Sequence, residues 1–529
     1  MGSPNPLGQG MKMPNEARGV VRSLAHICIK NVIANMENLW CRKFVEHFFK
    51  QAHWLYVIGP FDSLPPKLCH DIFESMIERK LLRKHHVYLM IHPNFTKLNC
   101  SRESNELALI LSLVSTRCAA LQELNLSGCA KLPKTVFLEE FPTISKHLRH
   151  LDLSHSSASD DILSVVGVYG QKLVSLKLSY TNVTDLGLRT LFFPVNLDGK
   201  PDPRYGQVKS LQSLDIFHCG IRSEVASQIL SANPKLKELI YEDSVDAVAH
   251  SKRLDPEAQI HLTTLHSVNP DLEASALDIA LRHCHYLGRL YVSTFKEMNV
   301  SAFESLSTKS STSSTHELKE IHVTNEQGIN AISMIDVLSP VLFAHGNNLL
   351  SLNLAEVRDV CIPLLVQTCR QLVHLSLQFN EDYVENVPHY LLDETIEKRL
   401  PRLRTLKVLC QIKKSLYATE NIYPGSSDLK ILLISPKLAN IHLSHCETLN
   451  DSVLLEILSE NTLNHLTSLE LDNCNEISFE GLAPILQGEN NLNQVSFKNC
   501  KEISRKHAQS YQKYLKQKKL FTRVQMDWS

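Results

Sequence analysis

Histidine and cysteine are the residues of this chain whose side chains could carry chemistry, because both bind metals and take part in acid–base or redox reactions. Histidines lie next to one another at His85-His86 and flank a cysteine at His283-Cys284-His285. Adjacent residues on a helix point in different directions, so a shared metal would need partners that the sequence does not show. No metal site is predicted, and these are expected to be ordinary surface and helix histidines.

The 14 cysteines are scattered along the chain, and no two have the CxxC spacing of a metal or redox motif. The N-terminus shows neither a long apolar run nor a signal-peptide pattern. Free thiols in a reducing compartment are therefore predicted, with the protein in the cytoplasm, the nucleus or both.

Motifs for catalysis are missing from the sequence, which has no glycine-rich phosphate loop, no G-x-S-x-G elbow and no H-E-x-x-H pair. The 55 basic residues balance 56 acidic ones, for a formal net charge of -1. No overall field draws the chain to nucleic acid or to a membrane. A non-enzymatic protein without cofactors is predicted.

A repeated phrase accounts for many of the cysteines: a leucine, two variable residues, a leucine, one variable residue, a leucine and, after two more residues, often a cysteine. The clearest copies are Leu121/Leu124/Leu126/Cys129, Leu211/Leu214/Ile216/Cys219, Leu438/Ile441/Leu443/Cys446, Leu466/Leu469/Leu471/Cys474 and Leu492/Val495/Phe497/Cys500. Other copies end in Ser156, Thr181 or Asn380, weaker ones begin at Leu236, Leu287, Leu318, Leu349 and Leu403, and the least regular begins at Leu262.

Most copies start roughly 23 to 31 residues apart, which is the length of a leucine-rich repeat with one strand and one helix per unit. An α/β leucine-rich repeat solenoid in the shape of a horseshoe, with about thirteen repeats, is predicted for residues 101–503. The repeat cysteine is expected to be structural, because a small buried side chain with a hydrogen-bonding end can satisfy backbone groups in the loop.

Three further parts are predicted around the repeats. Residues 1–18 are rich in Gly, Pro, Asn and Met and are expected to be disordered. Residues 19–100 form a helical region without the repeat. Residues 504–529 include a lysine-rich amphipathic helix and are expected to cap the last repeat, because the open end of a solenoid must be covered.

The helical region contains one apolar stripe with helical spacing. Leu24, Cys28 and Val32 stand at i, i+4 and i+8, and Ser23 is the candidate N-cap. The spacing therefore predicts a helix with one apolar face.

A second stripe follows some thirty residues later. Leu64-Pro65 precedes Leu68 and Ile72, which lie one helical turn apart. Proline suits the first turn of a helix, so a helix start is predicted here.

This pair of motifs resembles the box of adaptor proteins of cullin-2 ubiquitin ligases, with an elongin-binding BC-box at 23–33 and a cullin box at 64–73. Together with the repeats it looks like the Zyg/Zer family of substrate receptors. The resemblance implies that Leu24 fills a pocket on elongin C, that Cys28 packs beside it, and that the segment from Leu64 to Ile72 faces cullin-2. Where that family carries a C-terminal armadillo-like domain this chain continues its repeats to Cys500, so no degron specificity is implied.

Residues on either side of the second leucine of each phrase are predicted to line the open concave face, because strand side chains alternate. Most are small or polar, but Phe217, Ile240 and Tyr291 are apolar, and an apolar side chain on an open wall tends to mark a contact. Together with Asp215 and Arg289 they are predicted to bind the substrate. For Ile240, in an irregular repeat, a misjudged register is the alternative.

The predicted function is that of a non-catalytic substrate receptor in an elongin B/C–cullin-2 ligase, which raises the concentration of a protein substrate near the ubiquitin-charged enzyme. One alternative is an F-box receptor that uses a Skp adaptor, since Leu64-Pro65 with Leu68 and Ile72 also resembles an F-box start. Residues 79–99 lack the ending expected of that box. Another is an interaction scaffold in which Leu24 and Cys28 are buried core residues. GTPase-activating and nuclease-inhibitor solenoids share the repeat, but the acidic tail of the first and the regular alternation of the second are missing.

Overall fold

The structure is a computed structural model that describes residues 24–42, 45–46, 61, 63–103, 105–193, 208–269, 273–293, 303, 306, 317–324, 332–379, 399–410, 424–488, 491–518 and 525–528. The chain divides into two compact units, one formed by Ser23–His322 and the other largely by Val323–Ser529. The predictions for residues 1–18 and for Ser23 fall outside the described residues. Among the helices described, none combines the length and the apolar character needed to cross a membrane.

Helices open the first unit before its sheet begins. They are Leu24–Ala34, the π-helical turn Met36–Cys41, Pro66–Glu78 and Lys84–Met90. Strands and helices then alternate: β1 (Lys97–Asn99), Leu107–Arg117, β2 (Glu123–Asn125), Lys134–Ile144, β3 (His150–Asp152), Asp160–Tyr169, β4 (Ser175–Lys177), Asp185–Phe192, β5 (Ser213–Asp215), Ser223–Ala232, β6 (Glu238–Ile240), Ser244–Leu254, β7 (Thr264–Ser267), Ala274–His283 and β8 (Arg289–Ser293). The strand β9 (Glu320–Thr324) lies at the boundary of the two units.

The second unit repeats the same alternation with longer strands. Its elements are Met334–Leu338, Ser339–His345, Gly346–Asn348, β10 (Ser351–Ala355), Ile362–Thr368, β11 (His374–Phe379), β12 (Thr405–Cys410), Ser426–Leu433, β13 (Asn440–Ser444), Asp451–Glu460, β14 (Ser468–Asp472), Phe479–Gln487, β15 (Gln494–Lys498), Arg505–Gln517 and β16 (Gln525–Trp528).

Consecutive strands pair in parallel, leucine beside leucine. Leu98, Leu124 and Leu151 stand in register on β1, β2 and β3, and all three are buried. Because side chains alternate along a strand, the leucines enter the core beneath the helices and the residues between them line the open face of the sheet. Every predicted copy of the repeat carries a strand, including the one that begins at Leu262, so the α/β leucine-rich repeat fold is confirmed.

Two strands were not expected from the repeat phrase. β1 lies just before the predicted start of the repeats at residue 101, and it pairs with β2. At the other end, the predicted cap contains the helix Arg505–Gln517 and then β16, which pairs with β15. The parallel arrangement therefore continues into the segment expected to be a simple cap.

The repeat cysteines act through hydrogen bonds, as predicted. The Cys129 thiol donates to the carbonyl oxygen of Cys100 at 3.2 Å, and the Cys219 thiol donates to that of Leu178 at 3.0 Å. Burial raises the pKa of Cys129 to about 12, which keeps the proton on sulfur. The thiols thus satisfy carbonyls of the preceding repeat, and all 14 cysteines are free.

A left-handed turn ends several of the strands, at the position just before the repeat cysteine. Gly128, with φ of 70°, occupies it after β2, and Asn473, with φ of 53°, after β14. The same position holds His155, Tyr180 and His218, with φ of 55°, 57° and 54°. Glycine adopts this conformation freely and asparagine tolerates it, whereas bulky side chains are strained there.

Candidate docking sites

The helix Leu24–Ala34 buries one side and exposes apolar residues on the other. Ile33 is 6% exposed, and the helix packs against the helix Pro66–Glu78. Leu24, at 77% exposed, and Cys28 lie on the solvent side one turn apart. An exposed apolar stripe on a helix that is held by its other side has the form of a docking surface.

The predicted stripe of the BC-box is therefore divided by the fold. Leu24 and Cys28 face solvent, and Val32 is half-buried at the flank of the helix. The alternative in which Leu24 and Cys28 are core residues is wrong, because the core side of this helix is formed by Ile33 and, just beyond its end, Met36.

Further apolar side chains are exposed in the same helical region. Ile27 lies one turn from Leu24, and Leu39 is 68% exposed in the π-helical turn. The neighbouring Trp40 is partly exposed, and its ring lies 6.2 Å from the ring of the buried Phe61. We call Leu24, Ile27, Cys28, Leu39, Trp40 and Leu68 the N-terminal apolar set.

The predicted cullin box begins a helix, as its proline indicated. The helix starts at Pro66, Pro65 is exposed and Leu64 is half-buried. Leu68 remains exposed, but Ile72 lies in the core and is 4% exposed. A direct contact between Ile72 and a partner is thus corrected by the structure, because this position turns inward and leaves Leu64, Pro65 and Leu68 as the accessible residues.

The two adjacent histidines are brought together rather than set apart. His85 and His86 are buried, and their ring centroids lie 4.1 Å from each other. With Cys41 they place potential metal-ligating atoms within 4.8 Å of one another. The expectation of surface histidines is wrong here, because Glu37 from the π-helical turn reaches both rings and holds them inside.

Hydrogen bonding decides what this histidine pair can do. Nδ1 of His86 accepts a hydrogen bond from the backbone N–H of Arg83 at 3.1 Å, so a neutral ring carries its proton on Nε2. That Nε2 lies 3.2 Å from Oε1 of Glu37. Burial, followed by the neighbouring His85, lowers the pKa of His86 to about 4, so the ring is neutral at pH 7. The group fits a carboxylate clamp better than a metal site, since a protonated nitrogen cannot be a ligand.

On the open face of the sheet, Tyr291 is the centre of an aromatic stack. Its ring is almost parallel to that of His266, with centroids 4.6 Å apart, and the ring of His322 lies 4.5 Å away on the next strand. The Tyr291 hydroxyl donates to Glu320 at 2.6 Å. Burial lowers the pKa of His266 to about 4, so this stack is uncharged at neutral pH.

Charged residues lie beside this stack. Arg289 lies 3.2 Å from Glu238, so the two predicted contacts Arg289 and Tyr291 are both tied into the open face by acidic partners. Neighbouring Ile240 stands in register with Asp215, while Leu239 is buried. The register predicted for Ile240 is therefore correct.

Phe217 has a different position from the one predicted. β5 ends at Asp215, and Phe217 lies in the turn after it, half-buried and outside the strand. Oδ1 of Asp215 accepts a hydrogen bond from the Phe217 N–H at 3.2 Å, and burial raises the pKa of Asp215. Phe217 thus belongs with the residues of the strand ends, which the sequence did not single out.

A cavity of about 510 Å³ lies over the open face of β1 to β4. His70 and Glu74 border it from the helix Pro66–Glu78, and Asp152 and Lys177 from the strands. The open face therefore offers a polar recess near the helical region as well as the aromatic stack around Tyr291.

No family model and no curated protein matches this chain. Among solved structures it is similar to the complex of Rad7 and Elc1 in yeast, with 15% identity, a TM-score of 0.46 and coverage of 92% of this chain and 96% of that one. An internalin from Listeria monocytogenes is similar at 15% identity, with a TM-score of 0.33 and coverage of 89% and 97%. Similarities this distant carry no argument about function.

Proposed function

We propose that this chain is the substrate-recognition subunit of a cullin-RING ubiquitin ligase of the elongin B/C–cullin-2 type. The observation that supports it is the exposure of Leu24 and Cys28 on a helix whose opposite side is anchored in the unit. These are the two residues to which the resemblance of the BC-box gives contacts with elongin C. Burial of a leucine side chain at such an interface contributes about 1.5–3 kcal/mol.

The second docking element lies on the partner helix of the first. Leu68 is exposed on Pro66–Glu78, and this helix packs against Leu24–Ala34. Elongin C would contact Leu24 and Cys28, while cullin-2 would contact Leu64, Pro65 and Leu68. Packing between the two helices fixes the relative positions of both contacts, so elongin and cullin can bind together without a further ordering cost.

The substrate side of the proposal is the open face of the first unit. Tyr291 and Arg289 are held in place by Glu320 and Glu238, and Asp215 with Ile240 extends the same face. A protein substrate bound there would be carried by the ligase to the ubiquitin-charged enzyme. The chain itself performs no chemistry in this proposal, because proximity alone raises the effective concentration of substrate lysines. It would do so in the cytoplasm, the nucleus or both.

The test is an affinity purification of the full-length chain from cells, with elongin B, elongin C, cullin-2 and Skp probed in the eluate. The double variant Leu24→Ala with Cys28→Ala should lose elongin and cullin-2. A matched control is Leu186→Ala, which removes an equally exposed leucine, 63% exposed, from a repeat helix and should retain both.

Each other outcome selects a different function. Recovery of Skp in place of elongin would assign the chain to the F-box receptors. Recovery of none of these subunits with the wild-type chain would leave an interaction scaffold without a ligase. Elongin bound equally by the double variant would show that the N-terminal apolar set is not the docking site.

A further inference from the structure

Four aromatic rings meet at the ends of β3, β4 and β5. His155 and Tyr180 are stacked, with ring centroids 4.4 Å apart and planes inclined by 12°. The ring of His218 lies 4.7 Å from Tyr180 on the other side and 4.3 Å from Phe217. We call these four residues the aromatic ridge.

The ridge is built on the surface. Tyr180 is 43% exposed, His155 and His218 are exposed, and Phe217 is half-buried. Aromatic rings in a protein usually gain their stabilisation by burial in the core. Here a row of rings from adjacent repeats contacts one another and solvent, which is the arrangement of an interaction surface.

The backbone does not require these side chains. His155, Tyr180 and His218 occupy the left-handed position before the repeat cysteine, which in other repeats of this chain holds Gly128 or Asn473. The turn itself is fixed by backbone hydrogen bonds, such as Tyr180 N–H to Phe217 O at 2.9 Å. A tyrosine is strained in this conformation, whereas glycine and asparagine are suited to it. The ring at this position therefore has a use other than folding.

Carboxylates next to the ridge indicate the charge of its partner. Glu242 lies 3.2 Å from Nδ1 of His218 and accepts a hydrogen bond from the His218 N–H. Asp215 lies at the end of β5, and Asp152 on β3 adds to the negative potential around it, opposed by the cation of Lys177. Because Asp215 is partly removed from water, a cation brought close to it would be attracted more strongly than at an open surface.

We propose that the aromatic ridge binds a protein segment through an arginine or lysine side chain, which stacks on the rings around Tyr180 while its charge faces Asp152, Asp215 and Glu242. Cation and ring attract each other in this geometry, and arginine adds planar stacking. This binding does not depend on the ligase function. It requires only the first unit, so it is distinguishable from elongin binding.

The experiment uses the purified full-length chain and an immobilised array of short random peptides. The wild-type chain should enrich peptides that contain arginine or lysine, and Tyr180→Asn should weaken the best of them about tenfold. Tyr180→Phe keeps the ring and should retain binding. Tyr286→Asn is the matched control, because Tyr286 is also exposed and also stacks on a histidine, His261, at 5.5 Å.

Two further measurements test the charge of the peptide and the structural role of the ring separately. The best peptide is resynthesised with citrulline for arginine or acetyl-lysine for lysine, which removes the charge at nearly constant shape and should abolish binding. The melting temperature of Tyr180→Asn should be equal to that of the wild type or higher. The proposal is overturned if no basic peptide is enriched, if binding survives Tyr180→Asn or loss of the charge, or if this variant melts lower and its ring is therefore structural.

Discussion

The carboxylate of Glu37 lies 3.2 Å from Nε2 of His85, across 48 residues of sequence. The same carboxylate contacts His86 and Arg83 at 3.2 Å each. It therefore ties the π-helical turn that follows the proposed elongin-binding helix to the helix that precedes the first strand. Loss of this clamp would loosen the mounting of the N-terminal apolar set without changing any of its residues.

Glu37→Ala is accordingly expected to destabilise the first unit by about 1–2 kcal/mol, because the buried Nε2–H of His86 loses the carboxylate that it faces. Urea unfolding measures this change. Glu46→Ala, which removes an exposed carboxylate paired with Arg42, is the control and should stay within about 0.5 kcal/mol of the wild type. Equal stability of the two variants would contradict the role given to Glu37.

The buried His86 should make stability depend on pH in a defined window. Its pKa is about 4 in the folded chain against 6.5 as the ordinary value. Above pH 6.5 the ring is neutral in both states and contributes no pH dependence. Between pH 6.5 and about 4 the unfolded chain takes up a proton that the folded chain refuses, so stability falls as the pH falls, by at most about 1.4 kcal/mol per pH unit.

The difference between wild type and His86→Asn isolates this contribution, since His266 also has a pKa of about 4 and acts in the same direction. Urea unfolding at pH 7 and pH 5 should show a smaller loss for the variant than for the wild type. Parallel losses in the two proteins would mean that His86 titrates normally.

Cysteine accessibility gives a direct test of the docking helix. Cys28 is exposed, whereas burial raises the pKa of Cys118 and Cys284 to about 12 and hides them from reagents. Iodoacetamide should therefore alkylate Cys28 first in the native chain, as read by mass spectrometry, and the buried cysteines only after denaturation. Addition of purified elongin B/C should protect Cys28. Rapid alkylation in its presence would exclude Cys28 from the interface.

The repeats could be predicted from the sequence because one phrase recurs with its leucines in register. β1 was missed because Phe95, Leu98 and Cys100 depart from the leucine phrase, although the last two flank the strand in the usual way. Strand positions such as Tyr291 could be assigned to the open face from alternation alone, which holds wherever the core leucines are clear.

The candidate sites were only partly predictable. Helical spacing placed Leu24 and Cys28 on one side, but spacing cannot say whether that side meets the core or solvent. The contact between Glu37 and His85 follows from tertiary packing and has no local signal. Tyr180 was overlooked because only the left-handed turn before the repeat cysteine gives it meaning, and the phrase treats that position as variable.

Gly187 is expected to be essential for the packing of neighbouring repeats. A Cβ atom there would lie 2.3 Å from Oδ1 of Asp160, the oxygen that accepts the Thr184 N–H at 2.8 Å. Gly187→Ala should displace this carboxylate from the start of the helix Asp185–Phe192 and cost about 1–3 kcal/mol in urea unfolding. Gly288→Ala, whose Cβ would meet its nearest atoms at 3.7 Å, should cost far less, and an equal cost would show that Asp160 moves freely.

The two sides of the first helix should respond to truncation in opposite ways. Leu24→Ala removes an exposed side chain and should change the free energy of unfolding by less than about 0.5 kcal/mol, yet it should weaken elongin binding. Ile33→Ala leaves a cavity where the side chain is 6% exposed and should cost about 2–5 kcal/mol. Thermal unfolding and elongin titration on both variants separate the two effects. If Leu24→Ala lowered stability as much as Ile33→Ala, any loss of elongin would follow from unfolding, and Leu24 would have to be assigned to the core.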